Sequence, residues 1–294
     1  MPAPSIALIG LGAMGSGMAR ALLAGGFAVT VHNRTAAKAD PVRDAGGTVA
    51  SSAAEAARAA TTVVLSLADE AAVEQIVFGE LAGKWRPGTV VVDTSTVSPA
   101  FSRETTRRLA EQGVRRVEAC VMGNPEMAAA GRLRVLTAGE ESDVDAVRDV
   151  LAALGQDVRH LGPTGNASVL KLAFNLLLGV QTAGLAEAIA FVEAMGMERD
   201  LLLDAFDSSG WRSPVLAFRA DFMRRREYRP AAFRTTLMHK DLRFAAREAG
   251  ERGVELPLVD CASDRFAAGI DAGRGDDDAA SVVELSQRSR TGVP

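Results

Sequence analysis

The chain is short of the residues that build metal and disulfide frameworks. Its 294 residues include two cysteines, Cys120 and Cys261, and three histidines, His32, His160 and His239. Two cysteines cannot form a disulfide framework or a Cys-rich zinc site, and the histidines lack metal-ligand spacing. No metal is expected. Asp276-Asp277-Asp278 lacks the further ligands of a calcium loop, and the polar, glycine-bearing segment from Gly269 to Asp278 is expected to be a loop. Basic runs are also scarce. Net charge is −4, and the one dense cluster, Arg224-Arg225-Arg226, has no aromatic or basic stripe around it. It reads as a solvated helix face, and no nucleic-acid partner is expected. No signal peptide is expected either, because SIALIG leads straight into a glycine loop. The longest apolar run contains Lys171, Asn175 and Gln181, which makes it a poor membrane span. With 48% hydrophobic and 24% charged residues, the balance is that of a soluble globular protein of one large or two ordinary domains, expected in the cytoplasm.

What is present is an alternation of strands and helices. Ser5 to Ile9 reads as a buried strand. Gly10-Leu11-Gly12-Ala13-Met14-Gly15 follows at once, then a helical SGMARALLAGG stopped by Gly25-Gly26, then a second β-rich run, FAVTVHNR. Strand, G-x-G-x-x-G, helix and strand within about 30 residues is the dinucleotide-binding unit. Gly10 permits the tight turn, Gly12 lets the backbone approach a pyrophosphate, and Gly15 lets helix and strand pack closely. The helix start offers amide donors and a favourable dipole to the phosphates. Leu11, Ala13 and Met14 complete the candidate cradle.

The end of the second strand selects the cofactor. NAD-preferring sites place Asp or Glu there to hold the ribose hydroxyls. Here stand Asn33-Arg34-Thr35, with Lys38 one turn on, and no carboxylate repels a 2′-phosphate. Arg34 can stack on adenine or grip the phosphate, and Thr35 can donate a hydrogen bond. NADP(H) is the expected cofactor.

Further strands are expected over Thr62 to Leu67, Thr89 to Asp93, Arg116 to Val121, Arg132 to Ala138 and Asp157 to Leu161. Helices are expected over Ala53 to Ala60, Glu70 to Phe78, Pro99 to Glu111 and Asp143 to Leu154. Ligands of open α/β sheets lie at the carboxyl ends of strands, so Leu67, Ala68 and Thr96 qualify as cofactor contacts. Thr96 or Ser98 also suits the cap of the helix from Pro99. Met122-Gly123-Asn124-Pro125 reads as a turn. Gly162-Pro163 marks a boundary, giving a dinucleotide-binding Rossmann domain over 1–162 and an all-helical domain over 163–294. Beyond the boundary, helices are expected over Leu201 to Ser208, Ser213 to Arg226, Thr236 to Arg252 and Leu256 to Ala272. Ser281 to Ser286 suits one more turn, and a frayed tail is expected to Pro294.

The second domain opens on the stretch around which the chain is organised, Thr164 to Met195. Ala, Leu and Glu dominate it, proline is absent, and Asn166 or Thr164 can cap its start. Apolar side chains on most faces imply a helix buried against several neighbours. Yet Lys171 and Asn175, four apart, share one face. A lysine there must snorkel out, pair with a charge or line a polar cavity.

Taken together, these motifs resemble the β-hydroxyacid dehydrogenase family, which includes 3-hydroxyisobutyrate dehydrogenase, tartronate semialdehyde reductase and the glyoxylate/succinic semialdehyde reductases. The resemblance spans nearly the whole chain. Gly10 to Gly26 is similar to the family's cofactor signature, and Thr94-Ser95-Thr96 resembles its loop at the nicotinamide and substrate. Gly165-Asn166 followed by Lys171 and Asn175 resembles its catalytic helix, and Lys240-Asp241-Leu242 its late Lys-Asp motif. The resemblance implies that Lys171 is the general acid/base and that Asn175 orients it or the substrate. It implies that Lys240 approaches the nicotinamide side, and that Thr96, Lys240 and Asp241 border the substrate. It also implies a homodimer or higher homo-oligomer, with the long helix taking part. In one place the sequence departs from the family. Met122-Gly123-Asn124 stands where the family carries a Ser-Gly-Gly-like turn that holds the substrate carboxylate. A Met-x-x-Pro turn there also resembles the related imine reductases, although those generally carry Asp or Tyr in place of Lys171. Gly123 and Asn124 can still offer amide donors.

The expected activity is therefore NADP(H)-dependent interconversion of a small hydroxy compound or hydroxy acid with its aldehyde or keto form. Lys171 supplies the proton, with its pKa depressed by partial burial. An imine reductase on the same scaffold and a non-catalytic NADP-binding protein are the alternatives.

Overall fold

The computed structural model describes residues 5–285. Compactness divides the chain into a first unit ending at Lys171 and a second beginning at Leu172. The division falls inside the long helix Asn166–Ala194, later than the Gly162-Pro163 boundary expected from the sequence.

The first unit is built on one eight-stranded sheet. Its strands are β1 (Ser5–Ile9), β2 (Ala28–His32), β3 (Thr48–Val49), β4 (Thr62–Leu65), β5 (Val90–Asp93), β6 (Arg115–Met122), β7 (Leu133–Ala138) and β8 (Gly155–His160). They lie in the order β3-β2-β1-β4-β5-β6-β7-β8. The strands from β3 to β6 are parallel, β6 and β7 pair antiparallel, and β8 runs parallel to β7. The first six strands thus have the doubly wound order, with its switch point between β1 and β4. Burial on both faces explains the apolar runs of β1, β4 and β5, as parallel sheets require. One face packs Leu8, Met18, Val31, Val117 and Leu151, and the other packs Ile9, Ala56, Val63, Val73 and Val91.

Several local expectations change. β4 stops at Leu65, because Ser66 and Leu67 leave the sheet to meet the glycine loop. β3 has two residues, too few to show a period. The expected single helix from Asp143 is two, Glu141–Ala146 and Arg148–Leu154. Val147 between them is non-helical (φ −116°, ψ 15°), which lets Val144, Val147, Val150 and Leu151 enter one core. The Met122 turn continues into a short helix, Pro125–Ala129.

The second unit is all-helical: the long helix, then Arg199–Asp207, Pro214–Arg225, Thr235–Gly250, Pro257–Gly269 and a terminal 3₁₀ stretch, Ala279–Leu285. Its core contains Ile189, Leu203, Met223, Met238, Leu242, Phe266 and Val283. The loop expected from Gly269 to Asp278 is partly helical, over Ile270–Arg274. Its acidic end is structural. Asp278 is fully buried and accepts from the Arg219 guanidinium at 2.6 and 2.7 Å and from the backbone N–H groups of Ala232 and Phe233. The tail expected to fray lies outside the described residues beyond Leu285.

By length and composition alone the long helix could cross a membrane. Its buried Asn175 is hydrogen-bonded, and Leu185, Ala186 and Ile189 belong to a packed core, as in the core helix of a globular unit.

Candidate functional site

The glycine loop occupies the carboxyl end of β1, at the switch point. Gly10 has φ +101°, and a Cβ there would stand 2.2 Å from the Ser66 carbonyl oxygen. A Cβ at Gly15 would stand 2.0 Å from the Gly10 carbonyl oxygen. Both positions therefore admit only glycine. Gly12 differs, because an added Cβ meets no protein atom within 4 Å. The chain's own packing leaves open the space that a dinucleotide pyrophosphate fills in this motif. The helix Ala13–Ala24 begins there with no side-chain cap and no acidic residue in its first turn. Its first-turn amides and positive dipole end suit an anion. The residues present fit a dinucleotide.

Asn33 shapes this cradle. Its Oδ1 accepts the Leu11 N–H at 2.8 Å, and its Nδ2 donates to the Thr35 carbonyl at 3.0 Å. Both ends of the amide are used in joining the glycine loop to the β2 loop, so Asn33 acts as a brace. Arg34, Thr35 and Lys38 are exposed beyond it.

The next two strand ends are fixed to each other. Thr94 Oγ1 donates to the Leu65 carbonyl at 2.6 Å, and Ser95 Oγ accepts the Leu67 N–H at 3.0 Å. Ala68 is exposed and Thr96 half-buried. Ser98 caps the helix Pro99–Ala110 by accepting the Phe101 N–H at 3.2 Å. Beneath the Thr94-Ser95-Thr96 loop lies a buried ion pair, Arg116 Nη2 to Asp93 Oδ2 at 2.8 Å.

β6 carries the remaining part of the first unit's site. Val117, Ala119 and Val121 enter one core, whereas Arg116, Glu118, Cys120 and Met122 alternate with them on the opposite face. Glu118 is 1% exposed. Its carboxylate accepts the Gly165 N–H at 2.7 Å, the Ser168 hydroxyl at 2.7 Å and the Ser102 hydroxyl. Two of these donors form the start of the long helix. Burial and the Glu118 charge push the Cys120 thiol up to about 12, against smaller opposing effects of the Lys171 charge and the Ser168 hydroxyl. The helix therefore advances along β6 from Glu118 past Cys120. Six helical residues from Gly165 rise about 9 Å, close to the ~10 Å of three strand residues. Half-buried Lys171 follows Ser168 by one turn, close enough for its charge to act on Cys120 of β6. In the Met122-Gly123-Asn124 turn, Asn124 Oδ1 accepts the Met127 N–H at 2.8 Å and caps the following helix.

In the second unit, Asn175 Nδ2 donates to Asp241 Oδ2 at 2.6 Å, with both side chains buried. Lys240 Nζ lies 3.0 Å from the other carboxylate oxygen, at an angle that makes it an ion pair without a hydrogen bond. It also lies 5.1 Å from the centre of the Phe244 ring. Asn175, Lys240 and Asp241 thus form one cluster.

Reading the sequence missed Asp93, Arg116, Glu118 and Ser168. The available signal was the pair of charges in RRVEACV, set at a spacing of two within an apolar strand.

An open glycine cradle at the switch point of a doubly wound sheet defines a dinucleotide-binding protein. Comparison with known proteins specifies the group. The profile of the NAD binding domain of 6-phosphogluconate dehydrogenase matches residues 5–162, and that of the NAD-binding domain of NADP-dependent 3-hydroxyisobutyrate dehydrogenase matches residues 165–286. Glyoxylate/succinic semialdehyde reductase 1 of Arabidopsis thaliana is 30% identical over 97% of this chain and 99% of its own. The crystal structure of 3-hydroxyisobutyrate dehydrogenase from Salmonella typhimurium is 27% identical and superposes with a TM-score of 0.90, covering 96% of this chain and 99% of that one. A reductive aminase from Aspergillus terreus, solved with NADPH and ethyl levulinate, is 26% identical with a TM-score of 0.64, over 97% of this chain and 100% of that one. The chain belongs to the β-hydroxyacid dehydrogenase family, and it is an oxidoreductase of the hydroxyl/carbonyl class with NAD(P)-binding domains.

Proposed function

We propose that the protein is an NADP(H)-dependent reductase/dehydrogenase that interconverts a small hydroxy compound with its aldehyde or keto form, with Lys171 as the general acid/base. The observation that supports this reading is the anchoring of the Lys171 helix on Glu118 of β6, one turn before the lysine, with the Lys171 charge acting on Cys120. When bound, the nicotinamide supplies a hydride to the carbonyl carbon. The Lys171 ammonium gives its proton to the carbonyl oxygen, where negative charge develops, and the neutral amine takes a proton back from solvent. In the oxidative direction the neutral amine receives the hydroxyl proton. Asn175, held by Asp241, orients the substrate or the lysine, and the role the family resemblance implies for Lys240 is on the nicotinamide side. The glycine loop and the helix Ala13–Ala24 hold the phosphates, with Leu67, Ala68 and Thr96 bordering the cofactor. Arg34, Thr35 and Lys38 hold the 2′-phosphate.

Met122 replaces the hydroxyl expected to anchor an acid, and Asn124 spends its side-chain oxygen on a helix cap. Small carbonyl compounds without a carboxylate are therefore the preferred substrates. The long helix exposes Val169, Leu177 and Phe191 on one face, Met195 follows just past its end, and a second copy of the chain covers that stripe in a homodimer. The assignment to the cytoplasm is part of this reading.

Reduction of imines is the second reading, favoured by the Met-x-x-Pro turn. Lys171 and the closer superposition on a hydroxyacid dehydrogenase, 0.90 against 0.64, speak for the first. The test is a panel of aldehydes, keto acids and cyclic imines with NADPH. Turnover of neutral aldehydes above keto acids, with Met122→Ser raising the acids, is expected. Turnover of imines alone would transfer the assignment to the second reading.

A further inference from the structure

A carboxylate that is 1% exposed costs several kcal/mol to bury unless donors satisfy it. Glu118 is satisfied in an uneven way. One donor, Ser102, lies on the helix Pro99–Ala110, and the other two, Gly165 N–H and Ser168 Oγ, lie at the start of the long helix. Gly165 has φ +102°, a backbone conformation that side-chain-bearing residues rarely adopt, so glycine is favoured where its N–H turns inward to Glu118. Ser168, Lys171 and Asn175 follow at i, i+3 and i+7, along one face of the helix. Any rotation or slide of the helix at Ser168 therefore moves Lys171 with it.

The carboxylate is itself fixed by a buried chain of contacts. Ser102 Oγ accepts from Arg116 Nη1 at 2.8 Å, and Arg116 Nη2 pairs with Asp93. Asp93 Oδ1 accepts the Ser95 N–H at 3.0 Å, and Ser95 Oγ accepts the Leu67 N–H. One polar network thus runs from the loops at the carboxyl ends of β4 and β5 to the first turn of the Lys171 helix. A core built for stability alone would do as well with well-packed apolar side chains in place of the whole network.

We propose that Glu118 is a positioning residue for the proton transfer. Through Ser168 and Gly165 it fixes the Lys171 ammonium relative to the loops at the ends of β4 and β5. This inference rests on the acid/base role proposed for Lys171. A displacement of about 1 Å at a reacting group can cost on the order of 10²-fold in rate.

Glu118→Gln keeps the shape, removes the charge and turns one acceptor into a donor. Two readouts test it. The first uses cofactor-free protein. The chain has four lysines, Lys38, Lys84, Lys171 and Lys240, so labelling by an amine-reactive reagent can be followed site by site by mass spectrometry. Removing a nearby anion favours the neutral amine, so Lys171 labelling at pH 8 should rise about threefold or more in the variant. Exposed Lys38 and Lys84 should keep their rates. The second is single-turnover NADPH oxidation in two backgrounds. Glu118→Gln should slow it about tenfold or more when Lys171 is present and leave it essentially unchanged in a Lys171→Ala background. Should Glu118→Gln fail to fold, Ser168→Ala removes one donor and reads the same coupling. Unchanged Lys171 labelling, or an equal proportional loss of rate in both backgrounds, would overturn the inference. A Lys171→Ala enzyme close to wild type would overturn the acid/base reading instead.

Discussion

Asn175 donates to Asp241 Oδ2 at 2.6 Å in a buried setting, and the same carboxylate pairs with Lys240 through its other oxygen. Asp241 therefore holds two candidate site residues at once. Asp241→Ala removes the acceptor of the buried Asn175 amide and one carboxylate paired with the largely buried Lys240 ammonium. The expected destabilisation is on the order of 3 kcal/mol. A double-mutant cycle between Asn175→Ala and Asp241→Ala, read by urea denaturation, should show a coupling of about 0.5–3 kcal/mol. Additive effects would contradict a shared role.

The proposed cofactor preference rests on Arg34, exposed beyond the Asn33 brace. NADPH should bind more tightly than NADH, and Arg34→Ala should weaken NADPH by about 10- to 100-fold, the worth of a charge-assisted phosphate contact. NADH affinity should stay nearly constant. Equal wild-type affinities, measured by calorimetry, would count against the assignment.

The buried thiol makes stability depend on alkaline pH. Burial, first, and the Glu118 charge raise Cys120 to about 12 from an ordinary 9.0. Above pH 9 the unfolded chain gives up this proton while the folded protein keeps it. The folded state then binds more protons, and stability falls as pH rises, by up to about 1.4 kcal/mol per unit. The contribution is fully present below pH 9 and is lost towards pH 12. Cys120→Ala should remove this part of the alkaline loss, which would appear as a shallower fall of Tm between pH 8.5 and 10.5. Parallel Tm profiles for the two proteins would refute it.

The stripe on the long helix bears on assembly. Phe191 is 64% and Met195 65% exposed, large apolar side chains one turn apart. The wild type should sediment as a dimer at micromolar concentration, and Phe191→Glu should shift it to monomer, because a buried charge opposite its own copy is costly. A wild-type monomer would contradict the proposed interface.

The sequence showed its local signals well and its long-range ones poorly. The glycine loop was legible because a turn, a phosphate approach and a helix start demand their residues within six positions. Lys171 and Asn175 stood out because two polar residues break an apolar helical period. Glu118 did not, because its donors lie 16, 47 and 50 residues away and only the fold brings them in. Asn33 reads as a cofactor contact in the sequence, and the structure adds that its amide braces two loops, a role that depends on the spacing of β1 and β2. Asp278 looked like part of an acidic loop, and its partner Arg219 lies 59 residues earlier. Two-residue β3 carries too little sequence to declare itself.

The central claim is that Lys171 moves the proton. A general acid contributes about 10²–10⁴-fold to the rate, so Lys171→Ala should slow single-turnover NADPH oxidation by that order with cofactor affinity intact. Lys171→Arg should fail as well, because guanidinium does not release its proton near neutral pH. A Lys171→Ala enzyme within a fewfold of wild type, or full activity in Lys171→Arg, would contradict the claim.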